Sequence, residues 1–440
     1  MNSRIKALVI LLLIFIVLDV ILYYTFSFLR PHWYNISFIT LKSFVRYIDL
    51  VLKTVLIFLM IENAIYNRLF SFKSTPFKII ISLLIPALIS IHVASRISSM
   101  NYLYMYFKCN TARMDSQIWK IDPYLSHRGK PNASGQYHYY IDYLDVHGTV
   151  PVYLDSLGYR TVPNHLKITS DSLNLYLGCS FTFGDYIEAQ NSYSYLSSKK
   201  MGYNYINAGA SAYGFGQMKQ QVDTLLTKYK FKYIFIQLSP WLADRAMHLK
   251  GFHCYGYHPY PYFSENKDGF SLNYPHYPNL LLESKPSKIR DTKTSYKEKL
   301  SFYFSDGYKM EIRNYYIFQW VKLKTLIGLS PRPTKNKLKL EKYFYDYVID
   351  IAKEHHATPV VLKIWDTEHD CDEIVNYLAP KVKIINLDKA VNEVQISSGC
   401  SSKELFSIYH KEKNDSIIID GHPNKLANCI FAETIYSELK

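Results

Sequence analysis

The chain has 440 residues, of which 48% are hydrophobic and 20% charged, and this composition excludes a disordered protein because it supplies enough apolar material for a large core. Lys and Arg number 51 against 37 Asp and Glu, a formal net charge of +14, which fits a nucleic acid, an anionic membrane surface or an acidic polymer as a partner. The mean hydropathy of −0.10 is that of a soluble protein only as an average, because the apolar residues are concentrated near the N-terminus.

The first element is an apolar run from Ala7 to Leu29 with one charge, Asp19. As a helix it reaches roughly 35 Å at 1.5 Å per residue, enough for a bilayer core of about 30 Å. A cleaved signal peptide is the alternative, but the run exceeds a typical signal core and ends in bulky aromatic residues. We therefore predict an uncleaved transmembrane helix over 7–29.

Two further apolar segments follow at 48–66 and 79–95. Lys53 and Glu62 interrupt the former, for which an amphipathic helix lying on the membrane is the alternative. The basic residues before the first span and between the second and third place the N-terminus inside under the positive-inside rule, although the loop between the first two is also basic. We predict a membrane anchor over residues 1–96 with three spans, and a periplasmic or extracellular location for the rest of the chain.

After the anchor, short β-rich runs alternate with helical patterns, which is typical of βαβ units with helices on both faces of a parallel sheet. The predicted strands are Leu173–Leu177, Tyr203–Ile206, Tyr233–Leu238, Pro359–Ile364 and Val382–Leu387. The predicted helices are Ser192–Met201, Gln217–Tyr229, Glu341–His355, Asp372–Leu378 and Lys425–Leu439. We assign 97–150 to a linker or edge segment and 151–440 to one α/β domain.

An insertion at about 245–340 interrupts the alternation. Its first part, residues 252–279, is rich in Tyr, Pro and His and has no clear periodicity. A substrate-covering lid with aromatic platforms for sugar rings and an irregular excursion in a Tyr-rich protein are the two interpretations. The sequence does not choose between them.

The stretch YLGCSFTFGDY at 176–186 carries the chemistry. It places Ser180 where a predicted parallel strand ends, the usual position for ligands on such a sheet. A serine hydroxyl becomes a nucleophile only when a base takes its proton, and Asp420 and His422 stand on a predicted loop just before the last helix. The alternative is a structural Ser180 whose hydroxyl caps the following turn.

These residues resemble the SGNH/GDSL hydrolase superfamily over about 150–440. The first block of its GDSFTFG branch is similar to GCSFTFG at 178–184, which implies that Ser180 is the nucleophile. The second block is similar to INAGASAYGFGQ and implies that the N–H of Gly209 joins that of Ser180 in the oxyanion hole. The last block implies Asp420 as acid and His422 as base. The resemblance also implies a three-layer, flavodoxin-like fold.

The chain departs from the family pattern at two places. The third block normally supplies an Asn to the oxyanion, but here Ser239, Pro240 and Trp241 follow the strand. Losing such a donor typically costs about 10²- to 10³-fold in rate, so Ser239 is the candidate substitute, and a slower or differently specialised enzyme is the alternative. The last block is also one residue shorter than usual, which weakens the assignment of Asp420 more than that of His422.

Other site chemistries have less support. An acidic cluster follows one predicted strand, but its spacing matches no metal-ligand pattern, and solvated loop and helix-capping roles explain it better; its members are Asp366, Glu368, His369, Asp370, Cys371 and Asp372. The glycine motif lacks the Lys-Ser/Thr pair of a phosphate-binding loop. We predict neither a metal nor a cofactor.

The predicted function is a membrane-anchored serine hydrolase acting on ester (O-acyl) bonds of an envelope or extracellular carbohydrate. A polysaccharide O-acyltransferase working with a membrane acyl-donor protein is the first alternative, and a catalytically inactive glycan-binding module is the second. The expected partners are therefore an acylated carbohydrate and the lipid bilayer. No pattern typical of nucleic-acid binding occurs, so the basic charge favours anionic lipid or an acidic glycan.

Overall fold

The computed structural model describes residues 112–114, 118–141, 146–163, 173–249, 260–267, 269–274, 320–364, 370–399, 406–412 and 415–440. All of them belong to one unit, Lys108–Lys440. The three predicted membrane spans lie outside these ranges, and within the ranges no helix is long and apolar enough to cross a bilayer.

Strands and short helices alternate along much of this unit. The described strands are β1 (Ala112–Met114), β2 (Trp119–Asp122), β3 (Ser126–Gly129), β4 (Ser134–Ile141), β5 (Val146–Leu154), β6 (Arg160–Thr161), β7 (Leu173–Leu177), β8 (Asn204–Asn207), β9 (Phe231–Leu238), β10 (Tyr262–Asn266), β11 (Gly269–Asn273), β12 (Thr358–Lys363), β13 (Lys383–Asn386), β14 (Phe406–Glu412) and β15 (Asp415–Pro423). The described helices are α1 (Ser180–Phe183), α2 (Tyr193–Met201), α3 (Phe215–Leu226), α4 (Trp241–Arg245), α5 (320–326), α6 (Lys337–Glu354), α7 (Asp372–Leu378), α8 (Leu387–Ser398) and α9 (Lys425–Leu439).

The parallel half of the main sheet has the strand order β8-β7-β9-β12-β13. Every residue of the interior strand β7 is buried, as expected of a strand covered on both faces. The chain crosses from β7 to β8 in one direction and from β8 to β9 in the other, so right-handed crossovers put α2 and α3 on opposite faces. Helix α9 packs with α2 and with α8, while α4, α6 and α7 pack with α3 or with one another. The predicted α/β architecture is confirmed in this half.

The other half of the sheet is antiparallel and was not predicted. Strands β1, β4, β5 and β6 extend the sheet beyond β8, and Arg160 pairs with Asn207 where β6 meets β8. Residues assigned from sequence to a linker or edge segment thus form one edge of the main sheet. The strands β2 and β3 form a separate hairpin.

The described part of the insertion contains an ordered hairpin, β10–β11. Phe263 is fully buried and Phe270 nearly so, and both rings contact Tyr343 of α6 at centroid distances of 6.1 and 5.2 Å. Residues 260–267 and 269–274 are therefore packed against the domain, whereas the rest of the Tyr-rich segment 252–279 lies outside the described residues.

The segment before the last helix differs from its prediction. The loop expected around Asp420 and His422 is wrong, because 415–423 forms strand β15 in a hairpin with β14. Three consecutive isoleucines at 417–419, a residue type favoured in strands, account for the strand. The next helix begins where predicted, with Asn424 as its N-cap accepting a hydrogen bond from the Ala427 N–H.

His127 ties the β2–β3 hairpin to the loop that follows β8. Its Nε2 donates to the Ser211 carbonyl at 3.0 Å, and the Tyr213 hydroxyl donates to the His127 carbonyl at 2.5 Å. Burial lowers the pKa of His127 from 6.5 to about 4, against the opposing effects of the Ser211 carbonyl and Asp122. The folded chain therefore holds this imidazole neutral.

This pKa predicts a pH-dependent stability. The contribution of His127 is complete above pH 6.5 and is lost as the pH falls towards 4, at about 1.4 kcal/mol of unfolding free energy per pH unit, because the unfolded chain binds the proton first. Urea unfolding of wild type and His127→Gln between pH 7.5 and 4.5 tests this. The stability difference should shrink steadily below pH 6.5, and parallel pH profiles for the two proteins would contradict the assignment.

Candidate active site

A tight turn at the end of strand β7 positions Ser180. A Cβ on Gly178 would lie 2.0 Å from Thr182 Oγ1 and 2.4 Å from Gln237 Oε1, so only glycine fits between β7 and α1. Ser180 is the first residue of α1 and is 6% exposed. Its carbonyl accepts from the N–H groups of Gly184 and Asp185 at 2.8 and 3.1 Å, which closes the turn.

Gln237, near the end of the neighbouring strand β9, forms hydrogen bonds with this turn. Its Oε1 accepts from the Cys179 N–H and from Thr182 Oγ1, both at 2.9 Å. Its Nε2 donates to Ser239 Oγ at 2.8 Å and lies 3.2 Å from Cys179 Sγ. Both halves of a fully buried amide are thus used. The sequence patterns gave no role to Gln237.

The thiol next to Ser180 lies inside this polar network. Cys179 is fully buried and not in a disulfide. Burial alone would raise the pKa of the Cys179 thiol, but the charge of Arg245, the N–H of Phe181 and the side chains of Trp241 and Gln237 together lower it below its usual value. The Ser180 hydroxyl lies 3.8 Å from the sulfur, so Cys179 is one of the buried polar side chains packed next to Ser180.

Ser239, the predicted oxyanion substitute, bridges two strands. Its hydroxyl donates to the Ile364 carbonyl at 2.7 Å, while its oxygen accepts from Gln237. The side chain is 3% exposed. The hydrogen of the Ser239 hydroxyl is therefore occupied by a hydrogen bond that links β9 to the end of β12.

Gly209 packs directly against the nucleophile turn. A Cβ there would approach the Phe183 backbone nitrogen and the Thr182 Cβ to 2.7 Å, so glycine is needed for the contact. The Gly209 N–H donates to Asn207 Oδ1 at 3.1 Å, and Asn207 Nδ2 donates to the Thr182 carbonyl at 2.7 Å. Asn207 thereby links the predicted oxyanion glycine to α1.

His422 comes to the same turn from the far end of the chain. Strand β15 packs against α1, and the His422 ring lies edge-on to Phe181 and Tyr186, with centroids 5.1 and 5.2 Å apart. The histidine side chain is 21% exposed. The structure thus brings the predicted base to the residue that follows Ser180.

The carboxylate in contact with this histidine is Asp185. Its Oδ2 lies 3.7 Å from His422 Nε2, and the side chain is 3% exposed. Ser211 Oγ lies 2.8 Å from both carboxylate oxygens, and the Tyr137 hydroxyl lies 3.4 Å from one of them. Asp420, the acid implied by the resemblance, pairs with Ile408 in the β14–β15 ladder.

The two loops that meet at Asp185 have unusual backbone conformations. Tyr186 and Ala212, each next to one partner of the Asp185–Ser211 bond, have φ values of 66° and 64°. Residues other than glycine adopt this left-handed region at a cost, and such positions cluster at functional sites. The hydrogen bond is therefore held between two constrained turns.

A buried guanidinium fixes the far side of the nucleophile turn. Arg160 Nη1 donates to the carbonyls of Phe183 and Gly184 at 3.1 and 2.6 Å, and Nη2 donates to the Ile187 carbonyl. Burial lowers the pKa of Arg160 to about 10, and the negative charge of Asp185 works in the opposite direction. The antiparallel half of the sheet thus supplies a positive charge beside the carboxylate.

The sequence patterns singled out Ser180 and His422 and gave no role to Asp185, Gln237 and Arg160, which the structure places next to the same turn. Asp185 carried one available signal, since it directly follows the GCSFTFG motif. From Tyr233 to Leu238 the strand is apolar or aromatic apart from Gln237, and a polar residue in such a run is itself a signal of a hydrogen-bond partner. Arg160 had none, because its strand is two residues long.

The acidic cluster around α7 lies partly within the described residues. Cys371 precedes α7 as its N-cap residue and Asp372 opens the helix, with Lys363 Nζ 3.7 Å from Asp372 Oδ1. Asp366, Glu368 and His369 lie outside the described residues. Among the residues that are described, no group of three His, Cys, Asp or Glu side chains is arranged to hold a metal ion.

Comparison with known proteins finds little. No protein-family model matches the chain, and no curated protein does. Among solved structures, the chain is similar to a protein assigned to the G-D-S-L family of lipolytic proteins from Desulfitobacterium hafniense DCB-2, with 12% sequence identity, a TM-score of 0.31, and coverage of 61% of this chain and 99% of that one. A similarity of this size supports no conclusion about activity.

Proposed function

We propose that the protein is a serine hydrolase that cleaves ester bonds, of the kind that the SGNH/GDSL-like motifs imply. The observation that carries the proposal is the position of the His422 ring against Phe181, beside Ser180, with the buried Asp185 carboxylate 3.7 Å away. A hydroxyl, an imidazole and a carboxylate gathered at the end of a parallel strand are the parts of an acyl-transfer site.

The chemistry follows from these groups. His422 accepts the proton of the Ser180 hydroxyl as the oxygen attacks the ester carbonyl carbon, and a tetrahedral oxyanion forms. His422 then gives that proton to the departing alkoxide as the carbon–oxygen bond of the ester breaks, which leaves an acyl group on Ser180. Water, activated by the same imidazole, attacks the acyl-enzyme and releases a carboxylic acid.

Asp185 is proposed to orient the base. Its negative charge favours the imidazolium that forms when His422 accepts the proton, and its bond with Ser211 fixes its position. Asp420 is the competing acid, because the resemblance assigns that role two residues before the histidine. Mutation of each carboxylate in turn distinguishes which of the two orients His422.

The oxyanion is proposed to bind the N–H of Ser180, at the start of α1, and that of Gly209. The latter N–H also faces Asn207 Oδ1 at 3.1 Å, so Gly209 would donate to both oxygens. Two donors in place of three are consistent with a slow enzyme, since one donor is worth about 10²- to 10³-fold in rate.

The substrate class is proposed from sequence. The predicted membrane anchor and external domain favour an acylated envelope or extracellular carbohydrate as the substrate. The same anchor favours the alternative of an O-acyltransferase supplied by a membrane acyl-donor protein, in which a sugar hydroxyl replaces water. A catalytically inactive glycan-binding module is the remaining alternative.

One experiment separates these functions. Full-length protein in detergent is incubated with p-nitrophenyl acetate, with and without oligosaccharide acceptors. A hydrolase releases p-nitrophenolate without an acceptor and forms acetate. Turnover that needs the acceptor, with acetylated oligosaccharide detected by mass spectrometry, identifies a transferase. Absence of turnover under both conditions, together with retained glycan binding, would identify the inactive module.

A further inference from the structure

The helix α5 and the turn after it present apolar side chains to solvent. Leu326 and Leu329 are 70% and 71% exposed, Ile327 is 57% and Trp320 is 55% exposed, and Leu323 is 43% exposed. Scattered exposed leucines are ordinary, but five large apolar side chains within ten residues form a patch, and such patches mark interaction sites. We call these five residues the 320–329 face.

The apolar side of α5 faces solvent, whereas the apolar side of an ordinary surface helix faces the core. Trp320, Leu323 and Ile327 follow the i, i+3, i+7 spacing of one helical stripe, and that stripe faces outward. Thr325, on the other side of the helix, is the buried residue, at 7% exposed. The apolar stripe of α5 is therefore presented to solvent while its polar threonine faces the protein.

This orientation is fixed by the rest of the domain. The turn after α5 passes through Gly328 at φ 81°, and Arg332 Nη2 donates to the Leu326 carbonyl at 3.0 Å. Further along, the Tyr262 hydroxyl donates to the Pro331 carbonyl at 2.9 Å, and the Thr334 N–H donates to the Phe263 carbonyl at 2.8 Å. The described segment is thus attached to the β10–β11 hairpin by several hydrogen bonds.

The charged residues of this segment are all basic. From 320 to 340 the sequence holds six Lys or Arg and no Asp or Glu. Two of them, Lys337 and Lys339, form ion pairs with Asp244 and Glu265 at 3.0 Å; the other four are Lys322, Lys324, Arg332 and Lys335. Lys322 and Lys324 fall on opposite sides of the apolar stripe at 100° per residue, and Lys324 Nζ lies 5.5 Å from the Trp320 ring centroid. Apolar and aromatic residues flanked by lysines are the composition of helices that lie in a membrane interface.

We propose that the 320–329 face docks on an anionic lipid surface, with Trp320, Leu326 and Leu329 entering the headgroup region and the flanking cations meeting lipid phosphates. A second copy of the chain fits less well, because a two-fold interface sets the same patch against itself and would bring like charges together. This proposal is independent of the hydrolase chemistry, which involves other residues.

The test measures the fluorescence emission of Trp320 alone. The chain has five tryptophans, so the emission of Trp320 is taken as the difference between full-length wild type and Trp320→Phe. Each protein is combined with vesicles of phosphatidylcholine and phosphatidylglycerol at a 7:3 ratio, with or without brominated acyl chains. We expect brominated lipid to quench the difference emission and the vesicles to shield it from acrylamide.

Variants of the basic and apolar residues test the contributions of charge and of apolar contact, and a matched variant elsewhere is the control. Roughly fivefold weaker interaction is expected for each cation removed near the lipid, so Lys322→Glu with Lys324→Glu should lower the quenching strongly, as should vesicles without phosphatidylglycerol. Leu326→Glu or Leu329→Glu should abolish it, and both positions are exposed enough to preserve the fold. Ile396→Glu, a matched change at an 85% exposed position on α8, should leave it unchanged.

Two results would overturn the proposal. The first is a difference emission that acrylamide quenches equally with and without anionic vesicles. The second is an emission shielded from acrylamide but insensitive to brominated lipid, which would mean that protein, from this chain or a second copy, covers the face.

Discussion

Ser180→Ala should lower kcat for p-nitrophenyl acetate by about 10⁴-fold or more, close to the rate without enzyme. Removal of a catalytic serine eliminates the acyl-enzyme route and leaves only the contributions of binding and the oxyanion site. The fold should survive, because the variant deletes one oxygen whose described contact is the 3.8 Å approach to Cys179 Sγ. Steady-state release of p-nitrophenolate by the full-length protein measures the loss.

The matched control is Ser397→Ala. Ser397 lies on α8, exposed, and its hydroxyl donates to the Val394 carbonyl of the same helix, so its loss should leave turnover unchanged. Equal rates for wild type and Ser180→Ala would remove Ser180 as the nucleophile and leave the alternative in which its hydroxyl is structural.

Asp185→Asn should lower kcat by about 10³- to 10⁴-fold. An amide in place of the orienting carboxylate removes the charge that stabilises the imidazolium and permits the wrong histidine tautomer, which costs about 10⁴-fold in a Ser-His-Asp site. The amide keeps the size of the carboxylate and can still accept from Ser211 Oγ, so the unfolding temperature reports whether the turn is intact. Turnover and the unfolding temperature are measured on the same preparation.

Comparison with Asp420→Asn decides which carboxylate, Asp185 or Asp420, orients His422. If Asp185 orients His422, the Asp420 variant should lose no more than about tenfold in kcat, as expected of a change outside the triad. The opposite order, with Asp420→Asn inactive and Asp185→Asn active, would return the role to Asp420 and leave Asp185 as a structural partner of Ser211.

The parallel half of the fold was predictable because its strands carry a strong local signal. Strand β7 was predicted with its observed bounds, Leu173–Leu177, as were the helices Asp372–Leu378 and Lys425–Leu439. Buried parallel strands read as mainly apolar runs, and Asn424 marks the start of the last helix as its N-cap residue. These signals lie within a few residues of the element they specify.

The antiparallel half lacked such a signal. Strand β4, SGQYHYYI, mixes polar and aromatic residues, and β6 has two residues. Pairing with distant strands, more than intrinsic preference, makes such segments extended. In the hairpin that contains His422, the isoleucines at 417–419 are a local strand signal, but the partner strand β14, FSIYHKE, mixes polar and apolar residues and gives none.

The candidate site divides in the same way. Ser180 and His422 stand in recognisable motifs, each next to a predicted strand or helix. The contact of His422 with Asp185 depends on β15 packing against α1, and the bonds from Arg160 depend on β6 joining β8. Such contacts join residues far apart in sequence, so only the folded chain brings them together.

Covalent labelling of Ser180 is the most direct test of the central claim. Full-length protein is treated with a fluorophosphonate, digested and analysed by mass spectrometry, for wild type and His422→Ala. A single adduct on the peptide that contains Ser180, formed at least about 100-fold more slowly in the His422 variant because the hydroxyl has lost its base, is the predicted result. An adduct on another residue, or labelling of Ser180 at an unchanged rate in the variant, would contradict it.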